Sequence, residues 1–446
     1  MQRRVALGIF TGLLLATAGC ADRSAPLQNR SQIGPDPELP APAQQLIPTI
    51  DIAPATGWPA GTTPTPVAGL TVGAFAVGLD HPRWVYVLPN GDVLVAETNA
   101  PPRPEQGKGI KAWFKKRAMK KAGAATPSAN RITLLRDVDG DGIAETRSVF
   151  LDGLNSPFGM ALVGDRFYVA NSDAIVGFAY REGATGIDTE GVKLADLPAG
   201  PRNHHWTKNI LASRDGTRLY ATVGSNSNVA ENGIEQEFNR AAVLEVDIAN
   251  GRTRVFASGL RNPNGLDWEP VTGRLWTTVN ERDELGNDLV PDYMTSLVDG
   301  GFYGWPYSYF GQHVDARAQP ARPDLVAKAI APDYALGSHT ASLGLSFYSG
   351  DQLPAHYAGG AFVGQHGSWN RKPPSGYKVV FVPFANGRPA GPAEDVLTGF
   401  LDPQGNARGR PVGVTVARDG ALLVADDVGN VIWRVGADLP VATSTR

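Results

Sequence analysis

An all-β chain folded as a six-bladed β-propeller is expected from three features of the sequence. Glycine (52) and proline (35) are abundant among many short apolar runs, a composition of turns joining strands. Amphipathic helical stretches of about ten residues or more are nearly absent, which disfavours an α/β fold. Third, one unit recurs: a glycine-containing turn, a short apolar strand, then polar residues. It reads LPNGDVLVAETN (88–99), LVGDRFYVANSD (162–173), SRDGTRLYATVGSNSN (213–228), PVTGRLWTTVNERD (270–283), YAGGAFVGQHGSWN (357–370) and ARDGALLVADDVGN (417–430). Each copy reads as a tight turn entering a buried strand whose far end carries polar groups. Six copies spaced by roughly 50 to 90 residues suit one copy per blade with insertions between them; the irregular spacing leaves seven or eight blades open.

The parts of the chain follow in order. Arg3 and Arg4 precede the apolar stretch VALGIFTGLLLATAG and then Cys20, the pattern of an export signal. TAGC resembles a bacterial lipoprotein box, so residues 1–20 are expected to be a lipoprotein signal with Cys20 as the lipidated residue; Thr17 departs from the aliphatic residue usual there. Cys20 is the single cysteine in 446 residues, so an exported mature chain carries no disulfide. No other stretch approaches the roughly 20 apolar residues of a membrane span. Residues 21–66 are rich in Pro, Ala and Thr and are expected to be a flexible tether. The propeller is placed at 67–436 and a short tail at 437–446. The 41 Lys and Arg against 44 Asp and Glu argue against a dominant nucleic-acid footprint.

Within the propeller, the basic insertion QGKGIKAWFKKRAMKKAGAA (106–125) reads either as a short amphipathic helix lying on anionic lipid or as a solvated excursion of one blade. DVDGDGIAE (137–145) sets Asp137, Asp139 and Asp141 at alternate positions with Glu145 beyond them. Hard oxygen ligands wrapped by glycines suit a structural calcium loop; an acidic turn is the alternative. Arg261 and Asn262 stand before a proline in GLRNPNGLDW, and a fixed guanidinium fork suits a carboxylate or an oxygen gaining negative charge. NHHWTKNI (203–210) lies one strand upstream of the third repeat. In an extended segment His204 and His205 point to opposite faces, so they do not ligate one metal together. One histidine as a general base, or a polar strand end, remain as readings.

Together, HHWTKNI…DGTRLYATVGSNSN, GLRNPNGLDWEPVTGRLW, GGFYGWP (300–306), GQHGSWNR (364–371) and GRPVGV (409–414) resemble the glucose/sorbosone dehydrogenase family, in its L-sorbosone dehydrogenase-like branch. The resemblance covers about residues 67 to 436. It implies a six-bladed propeller that binds pyrroloquinoline quinone (PQQ) and Ca2+ in a pocket on one face. It further implies oxidation of a sugar alcohol or aldehyde carbon, by proton abstraction and hydride transfer to PQQ. His205, ten residues before Asp215 of the next DG turn, matches the family's catalytic base. Arg261 matches the arginine beside the reactive quinone carbonyl, and Asn262 the neighbouring cofactor contact. Arg408 and Arg410 resemble an Arg-x-Arg pair that holds PQQ carboxylates, with Arg410 favoured.

Two departures stand out. His366 occupies the place of a lysine that contacts the cofactor in the soluble glucose enzymes. Arg282-Asp283 replaces the Gly-Pro step whose carbonyls bind the pocket calcium; backbone oxygens, or carboxylates of Asp283, Glu284 or Asp288, are the candidates here. His339 resembles a branch motif, either lining the pocket or serving as a buried structural histidine. The expectation is therefore an exported, lipid-anchored quinoprotein on the periplasmic side of a bacterial membrane. It would oxidise a sugar or a sorbosone-like aldehyde and pass electrons to a respiratory quinone or cytochrome. A calcium-dependent propeller lactonase and a non-catalytic carbohydrate- or partner-binding propeller are the alternatives.

Overall fold

A computed structural model describes residues 30–43, 49–102, 121–123 and 126–437. Six sheets of four or five strands, antiparallel except where Gly301–Phe302 joins blade 3 in parallel, form the blades of a propeller, with two short two-stranded ribbons added. The first strands of blades 1 to 6 are Pro82–Val87, Met160–Val163, Ile210–Ala212, Pro263–Trp268, Ser342–Phe347 and Pro411–Val416. The second strands are Val93–Glu97, Arg166–Ala170, Arg218–Val223, Leu275–Val279, Ala361–Gln365 and Leu422–Asp426. Every turn-and-strand repeat of the sequence is thus the second strand of one blade. Helix is confined to short segments such as Pro323–Val326 among the described residues, and none is long and apolar enough to cross a membrane.

The second strands explain the apolar runs. Four of them, in blades 1, 4, 5 and 6, are buried at every position because neighbouring blades cover both faces of the sheet. Each fully buried Leu, Val or Phe contributes ~1.5–3 kcal/mol relative to exposure. First strands of adjacent blades approach closely enough to need glycine. A Cβ on Gly344 of SLGL would meet the Val412 carbonyl oxygen at 2.2 Å, so any side chain there would force blades 5 and 6 apart. The ring is closed by Leu70–Val77, which pairs with Val431–Ala437 in blade 6 and ties the start of the propeller to its end.

In each blade the start of the first strand lies beside the end of the second. Pro82 faces Glu97, Pro263 faces Val279, and Pro411 faces Asp426. The polar tails of the repeats and the residues that precede the first strands therefore gather on one face.

The stretch expected to be a flexible tether crosses that face. Ile33–Gly34 pairs with the outer strand of blade 4, and Thr65–Pro66 pairs with the outer strand of blade 5. Between them Ala43 N–H donates to Leu285 O and Asp51 N–H to Trp369 O, both at 2.9 Å. Thr56 N–H donates to Ala407 O at 2.8 Å, and the Trp58 indole donates to Asp426 at 2.7 Å. The reason is backbone chemistry: an extended, proline-rich segment keeps free N–H and C=O groups that an exposed strand edge or loop can accept. The tether expectation is corrected for residues 30–43 and 49–66. The signal with Cys20, most of the basic insertion and the tail beyond 437 lie outside the described residues.

Candidate active site

His205 sits in the non-strand segment that leads into blade 3. Its Nδ1 lies 2.8 Å from the carbonyl oxygen of Ser225, at the end of the second strand of the same blade. A carbonyl can only accept, so Nδ1 carries the proton and Nε2 keeps its lone pair. Burial, then the neighbouring Arg261 guanidinium, then His204 push the imidazole well below its ordinary range. The ring is neutral at pH 7 and can take a proton at Nε2. Gly224 makes the arrangement possible: a Cβ there would meet Asn262 Oδ1 and His205 Cβ, each at 2.4 Å. Ser225 N–H in turn donates to Arg261 O at 2.7 Å, locking blade 3 to blade 4 at this point. The two histidine rings do not diverge as an extended strand would require; they meet edge-to-face at 4.7 Å, because the segment bends before the strand begins.

Arg261 is 2% exposed and is held by the Glu281 carbonyl at 2.6 Å, by Asn228 Oδ1 at 3.0 Å and by the Asp283 carboxylate at 3.2 Å. Asp283 also accepts from Asn370 at 2.8 Å and lies 3.5 Å from His339 Nδ1. Burial alone would raise the Asp283 pKa, but Arg261 and then His339 bring it down to about 2. His339 responds in the opposite direction. Burial lowers it, yet Asp283 outweighs that and raises it, and Nε2 faces the Gly286 carbonyl at 2.9 Å. An acceptor at each nitrogen favours the protonated form of the ring.

A second cluster lies where blades 6, 1 and 5 meet. Asp427 is 2% exposed and receives Arg83 at 2.9 Å and His366 at 2.9 Å, with His81 at 3.5 Å. Burial lowers His366 to about 4 and Asp427 restores only part of that, so the ring is neutral at pH 7. Arg410 lies in the same field, stacks over Tyr377 at 5.1 Å, and donates to the Ala53 carbonyl of the N-terminal segment at 3.2 Å. Arg83 extends the cluster toward the first site, its guanidinium 5.8 Å from the ring of Trp206. The Nε groups of Arg83, Arg261 and Arg410, together with Asn262 Oδ1, are buried with no hydrogen-bond partner. An unsatisfied buried polar group costs about 1–3 kcal/mol. Four on one face of the ring mark a place built for a ligand with its own acceptors and donors.

A family model described as a domain of unknown function, DUF7133, matches residues 79–434. The chain belongs to the DUF7133 family. Among curated proteins it is 30% identical over 244 residues to an uncharacterized protein of Borreliella burgdorferi, covering 54% of this chain and 63% of that protein. It is 28% identical over 299 residues to the pyrroloquinoline quinone-dependent pyranose dehydrogenase of Coprinopsis cinerea, covering 53% of this chain and 40% of that enzyme. The match thus spans less than two thirds of either relative. Among solved structures, the holo form of the PQQ domain of the Coprinopsis cinerea enzyme superposes with TM-score 0.67 at 22% identity, covering 86% of this chain and 100% of that domain. The calcium structure of the Trichoderma reesei Carbohydrate-Active Enzymes Family AA12 protein gives TM-score 0.68 at 18% identity, covering 87% and 99%. The DUF7133 chain therefore shares the propeller of PQQ-dependent sugar dehydrogenases.

Placed on this DUF7133 fold, the residues singled out by sequence separate into groups. His205, Arg261 and Asn262 come together around Gly224, and His366 and Arg410 come together around Asp427. Arg408 is not among the partners of Asp427; it is half-buried, and its charge is felt by Asp402 in the neighbouring loop. The Arg282 side chain takes no part in a metal site, which leaves only its backbone oxygen as a candidate ligand. Its guanidinium is fully buried and bound by Glu281, Asp315 and the carbonyls of Pro306 and Ser308. Asp283 is corrected as a metal residue, since its carbonyl already accepts from Arg317 at 2.9 Å and Asn228 at 3.2 Å, and its carboxylate faces two cations. Asp288 is engaged by Arg371 at 2.8 Å. The carboxylates of Asp137, Asp139, Asp141 and Glu145 do converge, all within 4.8 Å of one another, in the loop between the third and fourth strands of blade 1.

Sequence reasoning missed Asp427, Arg83, His81 and Ser225. A register rule finds Asp427 and His81. Asn280, His366 and Asp427 occupy the same position, one residue past the second strand of blades 4, 5 and 6. Three first strands begin with proline, and the residues just before them are His81, Asn262 and Arg410. Proline suits a strand start, where its missing N–H breaks no ladder.

Proposed function

We propose that this chain is a PQQ- and calcium-dependent dehydrogenase that oxidises a sugar, or a sugar aldehyde of sorbosone type reacting as its hydrate. The observation that carries the reading is a neutral His205, its Nε2 left as an acceptor, packed against Arg261 and Asn262 on the face where buried guanidinium groups lack partners. That set fits a planar polyanion. Arg83 and Arg410 would hold its carboxylates through bidentate forks, with Asn262 and Arg261 beside its polar ring atoms. When bound, PQQ supplies the acceptor for a hydride. His205 takes the substrate hydroxyl proton at Nε2. The Ser225 carbonyl keeps the ring oriented and steadies the imidazolium that forms, a contribution of about 10²–10⁴-fold in rate. Calcium is assigned to the 137–145 loop, a structural role. At the pocket, the Asp283 carbonyl and carboxylate are already engaged, which leaves the Arg282 backbone oxygen as the remaining ligand from this pair.

The relatives named as PQQ-dependent sugar dehydrogenases support this assignment, as does the shared propeller. The export pattern and Cys20 support a lipid-anchored, periplasmic enzyme that delivers electrons to a respiratory acceptor. The test is to add PQQ and calcium to purified apoprotein, follow the quinone spectrum, then supply sugars with an artificial electron acceptor. Spectral change and turnover are expected, with His205→Ala keeping the first and losing the second. Absence of PQQ binding at micromolar concentration would reject the assignment, and unchanged turnover in the variant would reject the base.

A further inference from the structure

Residues 51–58 of the N-terminal segment form a strap against blades 5 and 6. Asp51 N–H donates to Trp369 O at 2.9 Å, Thr56 N–H to Ala407 O at 2.8 Å, and Ala407 N–H returns to Pro54 O at 2.7 Å. Ala53, between these ties, is 4% exposed and belongs to the apolar cluster that holds Tyr377, Phe400 and Trp433. Trp58 pins the far end. Its ring meets Phe400 at 5.5 Å and Trp433 at 5.3 Å, edge-on in both cases, and its indole N–H reaches Asp426 Oδ2 at 2.7 Å. The other oxygen of that buried carboxylate accepts the backbone N–H of Arg410 at 2.8 Å.

The Arg410 guanidinium depends on the strap. The residue is 5% exposed, stacks over Tyr377 at 5.1 Å, and leaves Nε without a partner. Among the described residues its side chain makes one hydrogen bond, from Nη2 to the Ala53 carbonyl at 3.2 Å. A carbonyl orients the fork and leaves its charge uncompensated, whereas a carboxylate would neutralise it. Arg261, by contrast, shares its charge with Asp283. We propose that Trp58 is a positioning residue for the cofactor: it holds the strap down, and the strap's Ala53 carbonyl holds the Arg410 guanidinium ready for a carboxylate of the bound anion. The identity of that anion rests on the PQQ reading. Without the strap, Arg410 would have to be ordered at the moment of binding, and freezing a long side chain subtracts from affinity.

Spectroscopic titration of the full chain with PQQ tests this, in wild type, Trp58→Ala, Arg410→Ala and the double variant. Trp58→Ala is expected to weaken PQQ binding about fivefold. In the Arg410→Ala background the same change is expected to alter affinity by less than about 1.5-fold, because the group through which it acts is gone. Thr56→Pro, which removes the donor to Ala407 O and leaves the Trp58 ring in place, gives a second reading of the same coupling, also independent of whether Trp58→Ala folds. A loss of the same factor in both backgrounds is what packing alone produces, and it would overturn the proposal, as would full affinity in both strap variants. Failure of the PQQ reading is distinguishable: wild type itself would not bind PQQ, and the inference would fall with it.

Discussion

Two buried charge clusters form around carboxylates that lie past the second strands of blades 4 and 6, and they are finished differently. Around Asp283, Arg261 and His339 sit on one carboxylate with Asn370, and Arg282, Glu281, Asp315 and Arg317 close the neighbouring shell. Around Asp427, Arg83 and Arg410 stand with two histidines whose pKa values are lowered, so two guanidinium charges face one carboxylate in the inner ring. The first answers its carboxylate with a guanidinium and a raised histidine, the second with two guanidiniums and lowered histidines; Arg261, Arg83 and Arg410 each keep an Nε without a partner, so both clusters offer a donor to an anion. A carboxylate in the loop past the second strand can thus be finished in either way, and the partners from adjacent blades determine which.

The comparison is broken most severely at Asp283. Asp283→Asn leaves Arg261 buried without a counter-charge, and removing one partner of such a pair costs about 3–5 kcal/mol. Asp427→Asn is expected to cost less, about 1–2 kcal/mol, because Arg83 retains some solvent access and can be hydrated. Urea denaturation of both variants checks the ordering; equal losses would show that the two clusters are built alike.

The histidines give opposite pH dependences. His366 has a folded pKa of about 4, below its ordinary 6.5, so the unfolded chain binds the extra proton first. Its contribution is therefore lost as pH falls from 6.5 toward 4, by about 3 kcal/mol in all. His339 is raised above 6.5, so its contribution is complete below that value and is lost as pH rises through the folded pKa. Stability curves at pH 5 and pH 8 separate them. His366→Gln should lessen the acid loss, and His339→Gln should destabilise more at pH 5 than at pH 8. The same sign for both would remove the distinction.

Much of this was legible in the sequence. The six repeats marked one strand per blade because a strand covered on both faces must be apolar throughout, and its polar tail then has to emerge at a fixed end. His205 was singled out only through the family resemblance, which supplies its distance from the next turn; local chemistry alone leaves it a polar strand end. What could not be read was pairing across blades. Asp427 lies 61 residues from His366 and 344 from Arg83, and no local pattern links them. The N-terminal segment escaped for another reason: proline-rich composition reports the absence of a periodic face, yet a strand edge captures backbone and needs no apolar face.

The Asp427 cluster can be sharpened by its arginines. Arg410→Ala is expected to weaken PQQ binding by about 10- to 100-fold, since a hydrogen bond to a charged group is worth about 1.5–3 kcal/mol. Arg83→Ala should act similarly, and neither should shift the urea midpoint as far as Asp283→Asn does. Spectroscopic titration with PQQ reads the effect directly. Undiminished affinity in both variants would mean that the surplus charge serves no anion.

Arg408 supplies the smallest expected effect and the cleanest contrast. It shares the Arg-x-Arg element with Arg410, and by sequence either residue could reach a carboxylate. The intervening glycine lets the chain press against blade 6: a Cβ on Gly409 would meet the Asp426 carboxylate at 2.1 Å. Arg410 turns inward, its N–H on Asp426 at 2.8 Å and its guanidinium on Ala53. Arg408 keeps its backbone on Phe400 O at 2.8 Å, with its charge acting on Asp402 in the exposed loop. Arg408→Ala should therefore change stability by less than about 0.5 kcal/mol and PQQ affinity by less than about twofold. A loss matching that of Arg410→Ala would mean that the loop closes over the ligand and brings both arginines to it.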